Sequence, residues 1–154
     1  MIFATVGTQL PFPRLMQALS DLAPRINETI VAQTGFDDHD WPGLEHYPTL
    51  SPNDYRTFFQ DARVIVAHAG IGSILSAKRW SKPLVILPRK HELGEHRNDH
   101  QLATARQIAR LKGIYLAWEV EDLEKLLLNP ELEPAEDCQS DGTRRLIQHI
   151  RRQL

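Results

Sequence analysis

The amino-acid sequence predicts an α/β protein built on a doubly wound parallel sheet, and three observations lead there. Apolar runs of strand length alternate with segments whose apolar residues recur at helical spacing, the pattern of successive βαβ units. The run "PLVILP" (83–88) is apolar without alternation, as expected of a strand covered by helices on both faces. Glycines stand where strands give way to the next segment, at Gly7, Gly35 and Gly70, and a chain that turns sharply out of a strand needs their conformational freedom.

Taken in order, "MIFATVG" reads as a buried strand that stops at Gly7. "TQLPFPRLMQALSDLAPRI" reads as a loop and then a helix, with Leu15, Ala18, Leu19 and Leu22 at helical spacing and Pro13 suited to the first turn. "ETIVAQTG" is a second strand ended by Gly35. The turn-rich stretch 36–54 is expected to hold a short strand around His46 to Leu50, and Ser51 or Asn53 to cap a short helix through Phe59. "ARVIVAH" and "PLVILP" are strands, with the helix "GSILSAKRW" between them. "RKHELGEHRND" is a polar loop, and "HQLATARQIARLKG" a helix with Gly113 as its expected stop. "IYLAW" is a last short strand, followed by the helix "VEDLEKLLL", an acidic connection over 129–142, and a basic amphipathic helix within 140–154. Trp41, Trp80 and Trp118 are expected in the core or at an interface.

A chain of 154 residues, 42% apolar and 25% charged, is most simply one folded domain over 1–154. A net charge of −2 argues against a nucleic-acid binder that works by bulk charge. The single cysteine, Cys138, excludes an internal disulfide and any multi-cysteine metal site, and fits a reducing compartment. "MIFATV" is too short for a signal peptide, and no apolar run approaches the roughly 18 residues of a membrane span. Membrane contact is therefore expected to be peripheral or through a partner.

Three polar segments follow strand ends and should converge on one rim of the sheet, where such folds bind ligands. In "HAGIGS", Gly70 and Gly72 permit close backbone approach, Ser73 offers a hydroxyl, and the helix start carries about half a positive charge. That suits a diphosphate, although glycines there also serve a plain tight turn. His68, directly before this turn, is placed for a polar contact to a ligand or for a structural role. "GTQLPF" contributes Gly7, Thr8 and Gln9 as a second anion-facing loop or an ordinary turn. "PRKHELGEHRNDHQ" gathers Arg89, Glu95, His96, Asp99 and Gln101, a mixture of donors and acceptors suited to hydroxyls and equally to a solvated loop. His96 and His100, four apart, would share a helix face, but no HExxH-type pattern accompanies them and no metal is assigned. The four arginines of the last helix make either a solvated face or a docking face for an acidic partner or anionic membrane.

"FATVGTQLPFPRLMQAL", "VIVAHAGIGSILSA", "KPLVILPR" and "GEHRNDHQLATA" together resemble the family-28-type glycosyltransferase C-terminal domain, across most of residues 1 to 128. The likeness is greatest to the catalytic half of two-component transferases, one group of which extends bacterial exopolysaccharide or capsule repeat units. The resemblance implies the Rossmann-like, donor-binding half of a GT-B enzyme, an inverting transfer from a UDP-sugar, and a lipid-linked saccharide acceptor. It further implies a separate membrane-associated subunit for the acceptor half, a cytoplasmic location peripheral to the inner face of the cell membrane, and no metal or other cofactor. Helix dipole and backbone amides would stabilise the leaving diphosphate in a cation's place.

By position, Gly70, Ile71, Gly72 and Ser73 match the diphosphate loop, and Gly7 and Thr8 the first-strand loop. Asp99 and Gln101 resemble the residues that hold sugar hydroxyls, and Arg89, Glu95 and His96 match a variable donor- or acceptor-contacting loop. Many relatives hold the ribose with an acidic residue where this chain has Ser76, so the resemblance leaves that task to Ser76 or to Glu95. The general base is expected on the partner, with His96 and Glu95 as internal candidates. Two other readings stand beside this one: a non-catalytic nucleotide-sugar-binding module, and a UDP-sugar epimerase-like enzyme. A chain separated from its partner is also expected to expose an apolar face and to self-associate.

Overall fold

A computed structural model describes residues 1–136 and 141–153. Cys138 lies outside the described residues, as does the 137–140 part of the expected acidic connection before the last helix. Six strands form one parallel sheet: β1 (Ile2–Thr5), β2 (Ile30–Gln33), β3 (Glu45–Tyr47), β4 (Val64–Ala67), β5 (Leu84–Ile86) and β6 (Ile114–Leu116). Their order is β3-β2-β1-β4-β5-β6. The chain thus winds outward from β1 in one direction, returns, and winds outward in the other, which is the Rossmann-like α/β arrangement that the alternation predicts. Each predicted strand is present.

The helices are α1 (Pro13–Leu22), α2 (Pro52–Asp61), α3 (Ile71–Arg79), α4 (His100–Ile108), α5 (Glu121–Leu127) and α6 (Asp141–Gln153). Pro13 opens α1, where its missing N–H costs nothing. Of the two capping candidates for α2, Ser51 is the cap: its hydroxyl accepts from the Asp54 N–H at 3.1 Å.

Strand residues alternate between two cores, as a period of two requires. Ile2, Ala4, Val64, Val66 and Val85 meet Leu15, Met16 and Leu19 of α1 and Leu123 and Leu127 of α5. Phe3, Ile65, Ala67, Leu84 and Ile86 meet Phe59 of α2, Ile74 and Ala77 of α3, Ala105 and Ile108 of α4, and Ile150 of α6. Phe3 is ringed by Tyr55, Phe58 and Phe59 at centroid distances of 5.5 to 6.1 Å. In α6, Ile150 is buried while Arg144, Arg145, Arg151 and Arg152 are exposed. Trp41 is buried, Trp80 packs on Phe59, and Trp118 is largely exposed.

One helix end differs from expectation. α4 stops at Ile108, and Gly113 is not its cap. Gly113 instead takes a left-handed φ of +77° in the turn into β6, pressed against the backbone of Pro134 and Ala135. Periodicity does not disclose this, because the neighbour that demands a glycine lies more than twenty positions further along the chain.

Candidate functional site

The winding direction reverses between β1 and β4, and the segments leaving those two strands wall a crevice at the carboxyl rim, the usual ligand position in such sheets. Behind β1, Gly7 adopts a left-handed φ of +78°. Its N–H donates to the Thr5 hydroxyl at 3.3 Å, and that hydroxyl donates to Gln33 Oε1 at 2.6 Å. Thr8 and Gln9 follow it into solvent.

Behind β4, His68 projects its ring between the two glycine segments. A β-carbon on Gly7 would meet His68 Nε2 at 2.9 Å, and one on Gly70 would overlap the same ring. Both glycines are therefore demanded by the histidine. Gly70 then begins α3 with no side-chain cap. The N–H groups of Ile71, Gly72 and Ser73 have no acceptor within the helix, as at any helix start. Gly72 is exposed and has nothing within 4 Å of the position a β-carbon would take.

The hydroxyl-bearing residues of α3 face inward. Ser73 is buried, and with Ser76 and Thr5 it surrounds the Tyr55 phenol. Burial pushes the Tyr55 pKa up, and the three hydroxyls partly offset it. Tyr55 is a component that sequence reasoning missed; nothing in "SPNDYRTF" sets it apart from a helix residue packed on the sheet.

The segment after β5 forms the third wall. Arg89 is only 2% exposed, and its guanidinium is spent on main-chain carbonyls. It donates to Pro11 O at 2.7 Å, Leu10 O at 2.7 Å and Val6 O at 3.1 Å, and lies 4.5 Å from the Phe12 ring centroid. Arg89 thus shapes the loop after β1 rather than reaching into the crevice, a correction to its expected donor contact. Burial lowers its pKa to about 10, so it stays charged at neutral pH. Glu95 is likewise occupied: Arg14 donates to both carboxylate oxygens, at 2.6 and 3.0 Å, and the Lys90 N–H adds a bond of 2.8 Å. These three bonds tie the carboxylate to α1 and to its own loop. Arg14 was not foreseen, since the pairing spans eighty-one positions.

His96 is partly buried, with its Nδ1 lacking a hydrogen-bond partner. It lies in the loop before α4, so His96 and His100 do not share a helix face as their spacing predicts. Among the described residues, no group of three or more His, Cys, Asp and Glu side chains is arranged to hold a metal ion. Asp99 precedes α4, is exposed, and accepts from the His91 N–H at 3.2 Å. Gln101 is 5% exposed: its Oε1 accepts from the Arg89 N–H and its Nε2 donates to His68 Nδ1, both at 3.0 Å. The structure therefore brings Gly7, His68, Gly70, Ile71, Gly72 and Gln101 together, and leaves Thr8, Gln9 and Asp99 at the exposed margin.

Burial is the largest of the effects that lower the His68 pKa, to about 4, followed by the charges of Arg89 and His96. The folded state thus binds the proton less readily than the unfolded chain, whose histidine titrates near 6.5. Below that value the unfolded state binds more protons, so stability falls as pH drops from about 6.5 toward 4. The loss should approach about 3 kcal/mol from this residue. Urea midpoints at pH 7 and pH 4.5 should show this slope in the native chain and a shallower one in His68→Gln.

The sequence matches the glycosyltransferase family 28 C-terminal domain over residues 1–148. No match emerges among curated proteins. Among solved structures, the fold is similar to MurG of Acinetobacter baumannii, with a TM-score of 0.64 and 18% identity over 97% of this chain and 49% of that one. It is similar to ALG13, with a TM-score of 0.64 and 16% identity over 97% of this chain and 96% of that one. It is also similar to the Streptomyces glycosyltransferase SsfS6 in complex with thymidine diphosphate, with a TM-score of 0.56 and 19% identity over 98% of this chain and 37% of that one. The chain spans half or less of the length of MurG and SsfS6. With the match running nearly end to end, the chain belongs to the glycosyltransferase family 28 C-terminal domain family.

Proposed function

We propose that this chain is the donor-binding, catalytic subunit of a bipartite inverting glycosyltransferase that takes its sugar from UDP. The observation that carries the reading is the uncapped start of α3, which opens on the crevice between β1 and β4 with exposed Gly72 at its lip. Free amides and the helix dipole there suit a diphosphate, and the bound thymidine diphosphate of SsfS6 is a ligand of the same chemistry. In the reaction proposed, an acceptor hydroxyl oxygen forms a bond to the anomeric carbon. The bond from that carbon to the phosphate oxygen breaks, and its electron pair leaves with UDP. The amides of Ile71, Gly72 and Ser73 stabilise the charge that develops, and no metal is required.

The hydroxyl proton goes to a base on a second subunit. The engaged carboxylate of Glu95 supports that assignment. So does the distribution of exposed large apolar side chains. Leu10, Phe36, Leu93 and Trp118 all lie in segments that follow a strand's carboxyl end, and among the described residues only Leu128 lies elsewhere. A face of that kind around the crevice suits a partner that completes the cleft. No helix among the described residues is long and apolar enough to cross a membrane. In this reading the partner brings the chain to the inner face of the cell membrane, where a lipid-linked saccharide of exopolysaccharide or capsule type is the acceptor.

Titration of the purified chain with UDP, alongside Gly72→Ala, tests the carrying observation. A β-carbon at position 72 meets no protein atom and points toward the helix start. Thermal stability should therefore hold or rise slightly, while UDP affinity falls by about tenfold, the loss of one charge-assisted hydrogen bond. Absence of UDP binding, or equal affinity in the two proteins, defeats the reading.

A further inference from the structure

We propose that Gln101 is a positioning residue: it fixes His68 in the tautomer that carries its proton on Nε2, so that the crevice holds a hydrogen-bond donor at that nitrogen. The inference rests on the donor-site reading above for its ligand, but not for its internal logic.

One main-chain group in this arrangement has no choice of role. The Arg89 N–H can only donate, and it donates to Gln101 at 3.0 Å, so the oxygen of that amide must be the atom it meets. The amide nitrogen then faces His68 Nδ1, also at 3.0 Å. An amide nitrogen can only donate, so Nδ1 must be the bare, accepting nitrogen of the ring. A neutral imidazole has one proton, and it is left on Nε2. That atom lies against Gly7 and Gly70, the two positions at which any side chain would collide with the ring. The glycines clear a space around the very nitrogen that the relay protonates.

Surrounding charge favours the same state. The charged and titratable groups that act on His68 are Arg89 and His96, both from the segment after β5. The β1 loop and the start of α3 face the ring with glycine backbone. Both neighbouring groups oppose a second proton on His68, as does its burial. Gln101 is sealed from solvent, with its oxygen and one amide proton committed within the protein. Its task is therefore to act through His68, and the sugar-hydroxyl contact expected from its sequence position is the weaker assignment.

The experiment uses the full chain labelled with 15N-histidine. Long-range proton–nitrogen spectra distinguish the two neutral tautomers and the imidazolium of His68. The native chain should show Nε2–H alone at pH 7, and the Nε2–H resonance should move when UDP is added. Gln101→Glu keeps an acceptor for the Arg89 N–H but sets a second acceptor against Nδ1, and so inverts the preference. At high pH the variant should hold its proton on Nδ1 and bind UDP about tenfold more weakly than the native chain, the loss of one such bond. As pH falls and His68 becomes imidazolium, Nε2 regains a proton, and the affinity ratio between variant and native chain should climb back toward one. A packing role for Gln101 gives no such pH-dependent recovery. An Nδ1–H or imidazolium signal in the native chain at pH 7, a ratio that is flat with pH, or UDP binding that leaves the His68 resonance unmoved overturns the proposal. If UDP fails to bind at all, the donor-site reading falls, and the His68 nitrogen signals still decide what Gln101 does.

Discussion

Arg89→Met is expected to lower the unfolding free energy by about 3 kcal/mol, from a cost of about 1–3 kcal/mol for a buried acceptor left unbonded and less for each part-buried one. Methionine fills most of the volume of the arginine stem, so little of that loss is cavity. What it lacks is the donors. The buried carbonyl of Val6 would be left with nothing to bond, the part-buried carbonyls of Leu10 and Pro11 would lose a charged donor, and the stacking on Phe12 would also go. Urea denaturation should show a lower midpoint with an unchanged slope. Arg89→Lys should recover only part of the difference, since a single ammonium cannot reproduce a fork aimed at three separate oxygens. A loss below about 1 kcal/mol, in the range of an exposed pair, would sink this account of the residue. Because the three carbonyls belong to the loop after β1, the methionine variant should also bind UDP more weakly even where it remains folded.

The largest effect is expected from Gly113→Ala. Its φ of +77° costs a non-glycine residue about 1–2 kcal/mol by itself. Worse, the new β-carbon would lie on the Ala135 main chain, which has no flexible end to swing away. Ala135 donates to Lys82 O at 3.1 Å, and the Gly113 carbonyl accepts from the Leu84 N–H at 2.9 Å, so a shift at either point pulls on the start of β5. The combined loss should exceed about 4 kcal/mol, a large part of the stability of an ordinary domain. Gly94→Ala is the matched comparison: its φ is +71° but its surroundings are open, so only the backbone penalty should appear. Calorimetry that places the two variants within a few degrees of each other would refute the packing role of Gly113.

The strands and most helices were legible in the sequence because their causes are local. Apolar runs, Pro13 at the head of α1 and Ser51 at the head of α2 each act within a few residues. The glycine segments of the crevice were legible for the same reason. What escaped was decided by partners far along the chain. "PRKHELGEHRND" reads as a store of ligand-binding groups, yet Arg89 and Glu95 are consumed by Pro11, Leu10, Val6 and Arg14. No periodicity marks which charged side chain in a polar stretch will turn inward. Gln101 likewise falls where hydroxyl-binding groups are expected, and only its two hydrogen bonds reveal that both ends are already committed. Gly113 was singled out correctly as a glycine that matters, but for a helix it does not cap.

The central place of β1 also bears on how the chain comes off the ribosome. Thr5 pairs with Gln33 on one side and with Ala67 on the other, so about sixty residues must be made before the second neighbour exists. At synthesis rates of roughly 5–20 residues per second, the apolar strand waits for seconds with an open edge. Nascent chains stalled before β4 should therefore be the species that chaperones hold most tightly, and release should coincide with the arrival of Val64–Ala67.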